Sequence, residues 1–287
     1  MPSGQSRSVS DSLVIVKGAG DLATGIIHRL WRSGFPVIAT EIENPTMVRR
    51  TVTFAECLFE DRFEVEGVAA GRAEGNTAEE KLASARALLA EGVLPVAVDP
   101  GAEIVPLAGP AALVDAIIAK RNLGTRIDQA DVVVGVGPGF TAGVDVHAVI
   151  ETLRGHNIAR VILEGAAEPD TGQPGPIEGY TSERLLRSPA AGAFRPRAAI
   201  GDLVEAGEAI GAVGGAEVKT QIKGVIRGLL REGIEVTEGF KVGDVDPRGI
   251  VDYCYTISDK SRAIGGGVLE AIMMFLFGVQ TATEQTH

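Results

Sequence analysis

Apolar positions along the chain fall into two alternating rhythms. Leu13 to Val16 is an unbroken apolar run of the kind a strand buried on both faces requires, whereas Ile26, Ile27, Leu30 and Trp31 recur at helical spacing. Between them stand Gly18, Ala19 and Gly20. Val37 to Thr40 is a second strand-like run, closed by Glu41. Beyond it the pattern predicts a strand over 63–70 and a helix over 78–91, with Leu82, Ala85, Leu88 and Leu89 as its stripe and Asn76 or Thr77 as its cap. A strand over 94–98, a helix over 110–120 opened by Pro110, a strand over 131–135, a helix over 144–154 and a strand over 158–163 follow.

Strands that alternate with helices predict an α/β fold, here an N-terminal Rossmann-like, doubly wound parallel sheet. The turn after the first strand reads GxGxxA. Gly18 bends sharply, Gly20 keeps side chains off the backbone, and Ala23 lets helix pack on strand. Ala19, Asp21 and Leu22 complete a first turn whose N–H groups point at an anion, and Glu41 stands where a carboxylate meets a ribose hydroxyl. This predicts NAD(P) or another nucleotide as ligand. Asp21 departs from the commonest dehydrogenase pattern, because a carboxylate at that point repels a diphosphate placed too close.

Arg49 and Arg50 follow the second strand, and guanidinium forks match phosphate geometry; a solvated helix face is the plainer reading of the pair. The densest glycine stretch, Gly135 to Gly143, marks Gly137 and Gly139 as a candidate second wall of the ligand site. Asp145 and His147 lie just beyond it as candidate catalytic residues, His147 as proton donor or base, with a capping and packing role as the equal alternative. Two residues apart, they do not share a helical face, and no Cys/His cluster predicts a metal site.

The remainder divides differently. Residues 13–165 form the predicted nucleotide-binding domain, 166–184 a Gly- and Pro-rich linker, and 185–287 a second domain with an internal repeat. Gly192–Val213 aligns without gaps on Gly224–Val245, with Arg195 and Arg227 among the coincident positions. Two such copies predict a small all-β pseudo-twofold β-barrel, a sandwich-barrel of biotinyl/lipoyl-like type, followed by a C-terminal helix. Lys219 sits on the hairpin between the copies, where carrier domains hold a modifiable lysine, but its flanks are not those of a carrier and a scaffold barrel is the default reading. In the tail, Asp246 and Arg248 are spaced for an ion pair, and Cys254 reads as a packed or a reactive thiol.

Composition narrows the partners. A net charge of −11 with no basic run argues against nucleic acid or an anionic membrane. Two distant cysteines exclude a disulfide framework, which predicts a cytoplasmic protein. Residues 1–12, Ser-rich and polar, read as a disordered tail without the apolar core of a secretory signal. Val268 to Val279 is apolar but too short to span a bilayer, and it offers a homodimer contact.

Five segments together carry a resemblance. They are KGAGDLATG at 17–25, RRTVTFAE at 49–56, GVGPGFTAGVDVHAVIETLRGH at 135–156, KVGDVDPRG at 241–249 and TISDKSRAIGGGVLEAI at 256–272. In them the chain resembles the YqeB-type accessory proteins of selenium-dependent molybdenum hydroxylase systems. The resemblance implies a helper in maturing those enzymes, with the hydroxylase apoprotein or its cofactor-maturation proteins as partner and a molybdopterin-type cofactor as a possible ligand. Three functions stay open: a maturation factor binding a nucleotide or molybdopterin-dinucleotide-like ligand, an NAD(P)-dependent oxidoreductase using His147, and a non-catalytic docking chaperone.

Overall fold

A computed structural model describes residues 7–172 and 174–278. Nine strands make the first sheet: β1 (Val14–Lys17), β2 (Val37–Glu41), β3 (Arg62–Val65), β4 (Val68–Ala73), β5 (Leu94–Val98), β6 (Ala112–Asp115), β7 (Val132–Val136), β8 (Ala148–Ile150) and β9 (Val161–Ile162). Their spatial order is β3-β4-β5-β2-β1-β6-β7-β8-β9. The strands from β4 to β8 run parallel, and β3 and β9 are antiparallel edges.

Helices α1 (Asp21–Arg32), α2 (Ala78–Ala90), α3 (Ile104–Ala108) and α4 (Asp259–Phe277) cover this sheet. Alternation along β1 sorts the two faces. Val14 and Val16 pack with Ile26, Leu30, Ile264 and Val268 of α1 and α4, whereas Ile15 packs with Leu82 of α2 and Ile104 of α3. The α1–α4 crossing is close because glycines face each other. A Cβ on Gly25 would fall 2.5 Å from the Ser261 carbonyl oxygen, and one on Gly265 2.5 Å from that of Gly25. Val268, Ala271 and Ile272 of the apolar run of α4 are thereby buried against its own chain, while Phe275 is exposed; among the described residues no helix is long and apolar enough to cross a membrane.

The second half folds into two four-stranded antiparallel sheets. Its strands are β10 (Leu185–Arg187), β11 (Gly192–Pro196), β12 (Leu203–Val204), β13 (Ala209–Val213), β14 (Ala216–Lys219), β15 (Gly224–Leu229), β16 (Glu235–Val236) and β17 (Lys241–Asp246). One sheet has the order β10-β17-β15-β12 and the other β14-β13-β11-β16. The repeat is visible in them, since β11, β12 and β13 correspond to β15, β16 and β17. The middle strand of each copy pairs with the first strand of the other, β12 on β15 and β16 on β11. Both sheets share one apolar core that includes Phe194, Ile210, Val225, Leu229 and Val245.

These topologies correct the expected architecture. The first sheet is mixed rather than a purely parallel, doubly wound Rossmann sheet, and several connections carry no α-helix: a single 3-10 turn lies between β6 and β7, and a glycine loop between β7 and β8. The predicted helix over 110–120 is strand β6, and that over 144–154 is a loop and β8. Both are short apolar runs, which periodicity alone cannot assign; here hydrogen bonding to β1 and β7 decides. Nor does the second half close into a biotinyl/lipoyl-like barrel; it is two separate sheets. The C-terminal helix lies on α1 of the first sheet.

Smaller differences have local causes. The strand expected over 63–70 is a hairpin, because Glu66 and Gly67 both adopt positive φ (44° and 80°) and turn the chain back. Of the expected disordered tail, residues 1–6 lie outside the described residues. Val9–Asp11 form a 3-10 turn capped by Ser8, and Arg7 pairs with Asp131 at 2.6 Å. Val279 also lies outside the described residues.

The two halves interlock. The N–H of Leu229 donates to the Val48 carbonyl at 2.7 Å, and Arg50 Nε donates to the Leu229 carbonyl at 2.8 Å. Glu56, buried between them, pairs with Arg50 at 3.1 Å and with Arg231.

Candidate functional site

The glycine turn forms where β1 meets α1, as its sequence requires. Gly18 has φ +98°, and a Cβ there would lie 3.0 Å from the Ala116 carbonyl oxygen. Ala23 is buried beneath α1, whereas Leu22 is half-buried. One amide of the expected anion cradle is engaged from inside the chain, while no side chain caps the first turn of α1. The Ala19 amide donates to Glu41 Oε2 at 2.9 Å, and Glu41 Oε1 accepts the Ile42 amide at 2.8 Å. Both oxygens of the carboxylate expected to meet a ribose are thus engaged with backbone. A side chain at Gly20 would meet open space, and Asp21 is partly exposed beside it.

Asp21 opens α1 and accepts through Oδ1 from Arg49 Nη1 and from Ser261 Oγ, each at 3.1 Å. Arg49 is 5% exposed, and its Nη2 donates to the carbonyls of Tyr253 and Thr256 at 3.0 Å. It ties α1 to the stretch before α4. Arg50 turns the other way, to Leu229 and Glu56. Just behind the turn Lys17 and Asp115 form a buried pair at 2.9 Å, with Thr125 bonded to both.

The second glycine loop follows the C-terminal end of β7, the sheet edge at which β1 also ends. Its glycines serve close packing. A Cβ on Gly137 (φ +80°) would fall 2.8 Å from Thr152 Oγ1, and one on Gly139 (φ +111°) 2.6 Å from the Arg121 backbone. The loop then runs back along the sheet, so that His147 lies beside Val133, near the start of β7, away from the glycine turn. Its Nδ1 accepts the Val133 amide at 2.9 Å, its ring meets Phe275 edge-on at 5.6 Å, and burial holds its pKa below the ordinary 6.5. Asp145 Oδ2 accepts the Thr141 amide at 2.9 Å and so caps the loop. The structure therefore separates Asp145 and His147 from the turn they were expected to serve.

What the fold gathers instead is a junction of charges. Around Asp21 and Arg49 stand Arg227, Asp246 and Arg248, from β15 and the end of β17, and Arg154, Asp259 and Lys260 near the start of α4. Arg248 grips Asp246 through Nε at 2.9 Å and Nη2 at 2.6 Å, the ion pair anticipated for the tail. Arg154 holds Asp259 bidentately at 2.7 and 2.9 Å, which keeps that carboxyl well below the usual range. Arg227 occupies a register shift between Ile226 and Gly228, a bulge that turns its side chain inward. It is 8% exposed and reaches only Asp246, at 3.8 Å; burial, then repulsion by Arg49, lowers its pKa. Burial and Arg154 likewise lower that of Lys260.

Each of the five resembling segments contributes a residue to this junction: Asp21, Arg49, Arg154, Asp246 with Arg248, and Asp259 with Lys260. Sequence reasoning missed Arg227, Arg154 and Asp259. The repeat held a clue, for Arg195 and Arg227 coincide in alignment, but only Arg227 faces the first sheet and is buried. Cys254 lies beside the junction, fully buried, with Sγ 3.6 Å from the Ile226 carbonyl, and burial raises its thiol pKa. Lys219 is exposed and pairs with Glu217 at 3.3 Å. Among the described residues no group of three His, Cys, Asp or Glu side chains is arranged to hold a metal ion.

An exposed apolar surface borders the junction on the antiparallel half. Leu203, Ile250, Val251, Tyr253 and Tyr255 are 39–67% exposed, and Arg248 lies over the Tyr253 ring at 4.6 Å. The two stretches that supply them touch, since Tyr255 donates to the Ile200 carbonyl at 3.0 Å.

No protein-family model matches the chain. It is 48% identical over 273 residues to the uncharacterized protein YqeB of Escherichia coli (strain K12), which covers 95% of this chain and 49% of that protein; the chain spans about half the length of this curated relative. Among solved structures it is similar to an aspartoacylase family protein from Mesorhizobium loti, at 16% identity over 82% of this chain and 84% of that one, with a TM-score of 0.27. It is similar to a succinylglutamate desuccinylase/aspartoacylase from Rhodobacter sphaeroides at 16% identity, 82% and 85% coverage and a TM-score of 0.25. Superpositions at that level carry no argument about chemistry.

Proposed function

Because the chain belongs to the YqeB family, we propose that it is a non-catalytic accessory that docks on a partner protein. The resemblance to helpers of selenium-dependent molybdenum hydroxylases makes that partner the hydroxylase apoprotein or one of its maturation proteins. The observation that carries the reading is the exposed surface of Leu203, Ile250, Val251, Tyr253 and Tyr255. Tyrosine, arginine and aliphatic side chains in one contiguous patch have the composition of a protein-binding core rather than of an ordinary solvated face. The junction behind it fixes the patch in place, since Arg49 bonds the Tyr253 carbonyl and Thr51 bonds that of Cys254 at 2.5 Å.

The reading is favoured over cofactor chemistry by the state of the glycine turn. A diphosphate there draws on the amides of the turn, of which Glu41 takes that of Ala19, and the Asp21 carboxylate at the start of α1 repels it. A proton donor for hydride transfer needs to stand near the same turn, and His147 stands elsewhere.

Sedimentation of the chain with purified hydroxylase apoprotein tests the proposal. A complex is expected, weakened about tenfold or more by Tyr253→Ala or Leu203→Ser. No complex, or one indifferent to both substitutions, overturns it. Titration with NAD(H), NADP(H) and extracted molybdenum cofactor is the counter-test: saturable binding abolished by Gly20→Asp would restore a cofactor site.

A further inference from the structure

On the α1–α4 face a pocket of about 360 Å³ opens between the two helices and the β3–β4 turn. Its lining is Gly25, His28, Arg29 and Arg32 of α1, Glu66 of the turn, and Ile257 and Arg262 at the start of α4. That volume suits a small ligand. Three guanidinium groups and one carboxylate give the lining a net charge of about +2, in a chain whose net charge is −11.

Helix stability does not account for this collection. Arg29 and Arg32 do favour the last turn of α1, where a cation meets the negative end of the dipole. Arg262 stands in the first turn of α4, where the same dipole disfavours a cation. Neither do ion pairs account for it. Among the described residues Arg32 has no acidic partner, and the bond Arg29 makes is to the Arg262 carbonyl at 3.2 Å. Arg262 reaches Glu66 at 3.7 Å, beyond hydrogen-bonding distance.

Glu66 is a brace for the rim rather than a neutralising partner. Its φ of 44° is one that favours Asn or Gly in a two-residue hairpin, so a glutamate there is held under backbone strain. Its atoms offset that strain by joining three elements. Oε1 accepts the Ile257 amide at 2.8 Å, Oε2 faces Arg262, and its carbonyl lies 3.3 Å from His28 Nε2. The brace holds the start of α4 against the hairpin and fixes Arg262 across from Arg29 and Arg32.

We propose that this pocket binds the phosphate group of a small phosphorylated molecule. A phosphate monoester carries a charge of about −1.5 to −2 near neutral pH, which matches the excess of the lining, and planar guanidinium forks match its oxygens. His28 adds a further polar contact, and Gly25 with Ile257 supplies an apolar wall for the ester group.

Calorimetric titration of the full chain with inorganic phosphate, at constant ionic strength set with sodium chloride, is the test; glycerol 3-phosphate and succinate are parallel arms. Saturable phosphate binding is expected, with glycerol 3-phosphate at least as tight. Arg32→Ala, which removes a side chain without a partner, should weaken both by about tenfold or more, and Arg32→Lys should restore part of the loss. Unsaturable heats, or equal binding by wild type, Arg32→Ala and Arg29→Ala with all three folded by circular dichroism, overturn the proposal. Succinate binding tighter than phosphate overturns the choice of phosphate. Docking plays no part in these readouts, so failure here leaves the proposed function standing, and the reverse holds too.

Discussion

Glu41 reaches from the end of β2 to the amide of Ala19 in the neighbouring strand's turn, at 2.9 Å, and so takes up one of the amides that the glycine pattern promises to a ligand. Glu41→Ala should leave that buried amide unpaired and cost about 1–3 kcal/mol in urea unfolding. Glu43→Ala, on an exposed side chain two residues on, should stay within about 0.5 kcal/mol. Equal stability of the two variants would mean that water replaces the carboxylate without loss.

The α1–α4 crossing separates two glycines that look alike in sequence. Gly25→Ala drives a methyl group into Ser261 and should destabilise by about 1–3 kcal/mol through overpacking. Gly266→Ala meets nothing within 4 Å and should be neutral or stabilise by up to about 1 kcal/mol through helix propensity. Thermal unfolding of both variants checks the sign of each change.

Glu56 is buried between Arg50 and Arg231 and joins the halves of the molecule. Glu56→Ala should cost about 3–5 kcal/mol, because it strands two guanidinium groups at that joint. Replacing either arginine together with Glu56 should recover part of the loss, as a double-mutant cycle will show.

Stability should also fall in alkali. Burial pushes the Cys57 thiol from an ordinary 9.0 up to about 12 and raises that of Cys254. The unfolded chain therefore ionises its thiols first, so their contribution is whole below pH 9 and is lost as pH rises from about 9 towards about 12. Urea midpoints measured across that window should drop less steeply for Cys57→Ala than for the parent. In the native state both thiols should resist alkylation at neutral pH.

Acid acts at the start of α4. Arg154 holds the Asp259 carboxyl below its ordinary 3.8, so the pair stabilises above about pH 4 and its contribution fades as pH falls further. Asp259 is largely exposed, which limits Asp259→Asn to about 0.5–1 kcal/mol at pH 7. The difference between variant and parent should shrink steadily as unfolding is measured from about pH 4 down to about pH 2.

Much of the element order was legible in sequence because it rests on local pattern. The runs at 14–17, 37–41 and 94–98 and the helices opening at Asp21 and Ala78 follow from periodicity and from Thr77 as a cap. The 110–120 stretch reads as a helix in sequence because its Ala, Leu, Val and Ile suit either state. Only its place between β1 and β7 made it a strand. The glycine turn was found, but its content was not, since nothing local to Glu41 tells whether its carboxylate turns outward to a ribose or back to Ala19. The charge junction is not legible in sequence because its members come from six separated segments, and Arg227 differs from Arg195 in what its bulge faces.

Each repeat copy lends its middle strand to the sheet of the other, so neither copy can complete a sheet by itself. The antiparallel half is laced, and its assembly is all or nothing. A cleavage at the Gly214–Gly215 turn would leave two fragments that each carry a strand the other lacks, and they should stay associated until both unfold. Pulling on either copy therefore loads the hydrogen bonds of both.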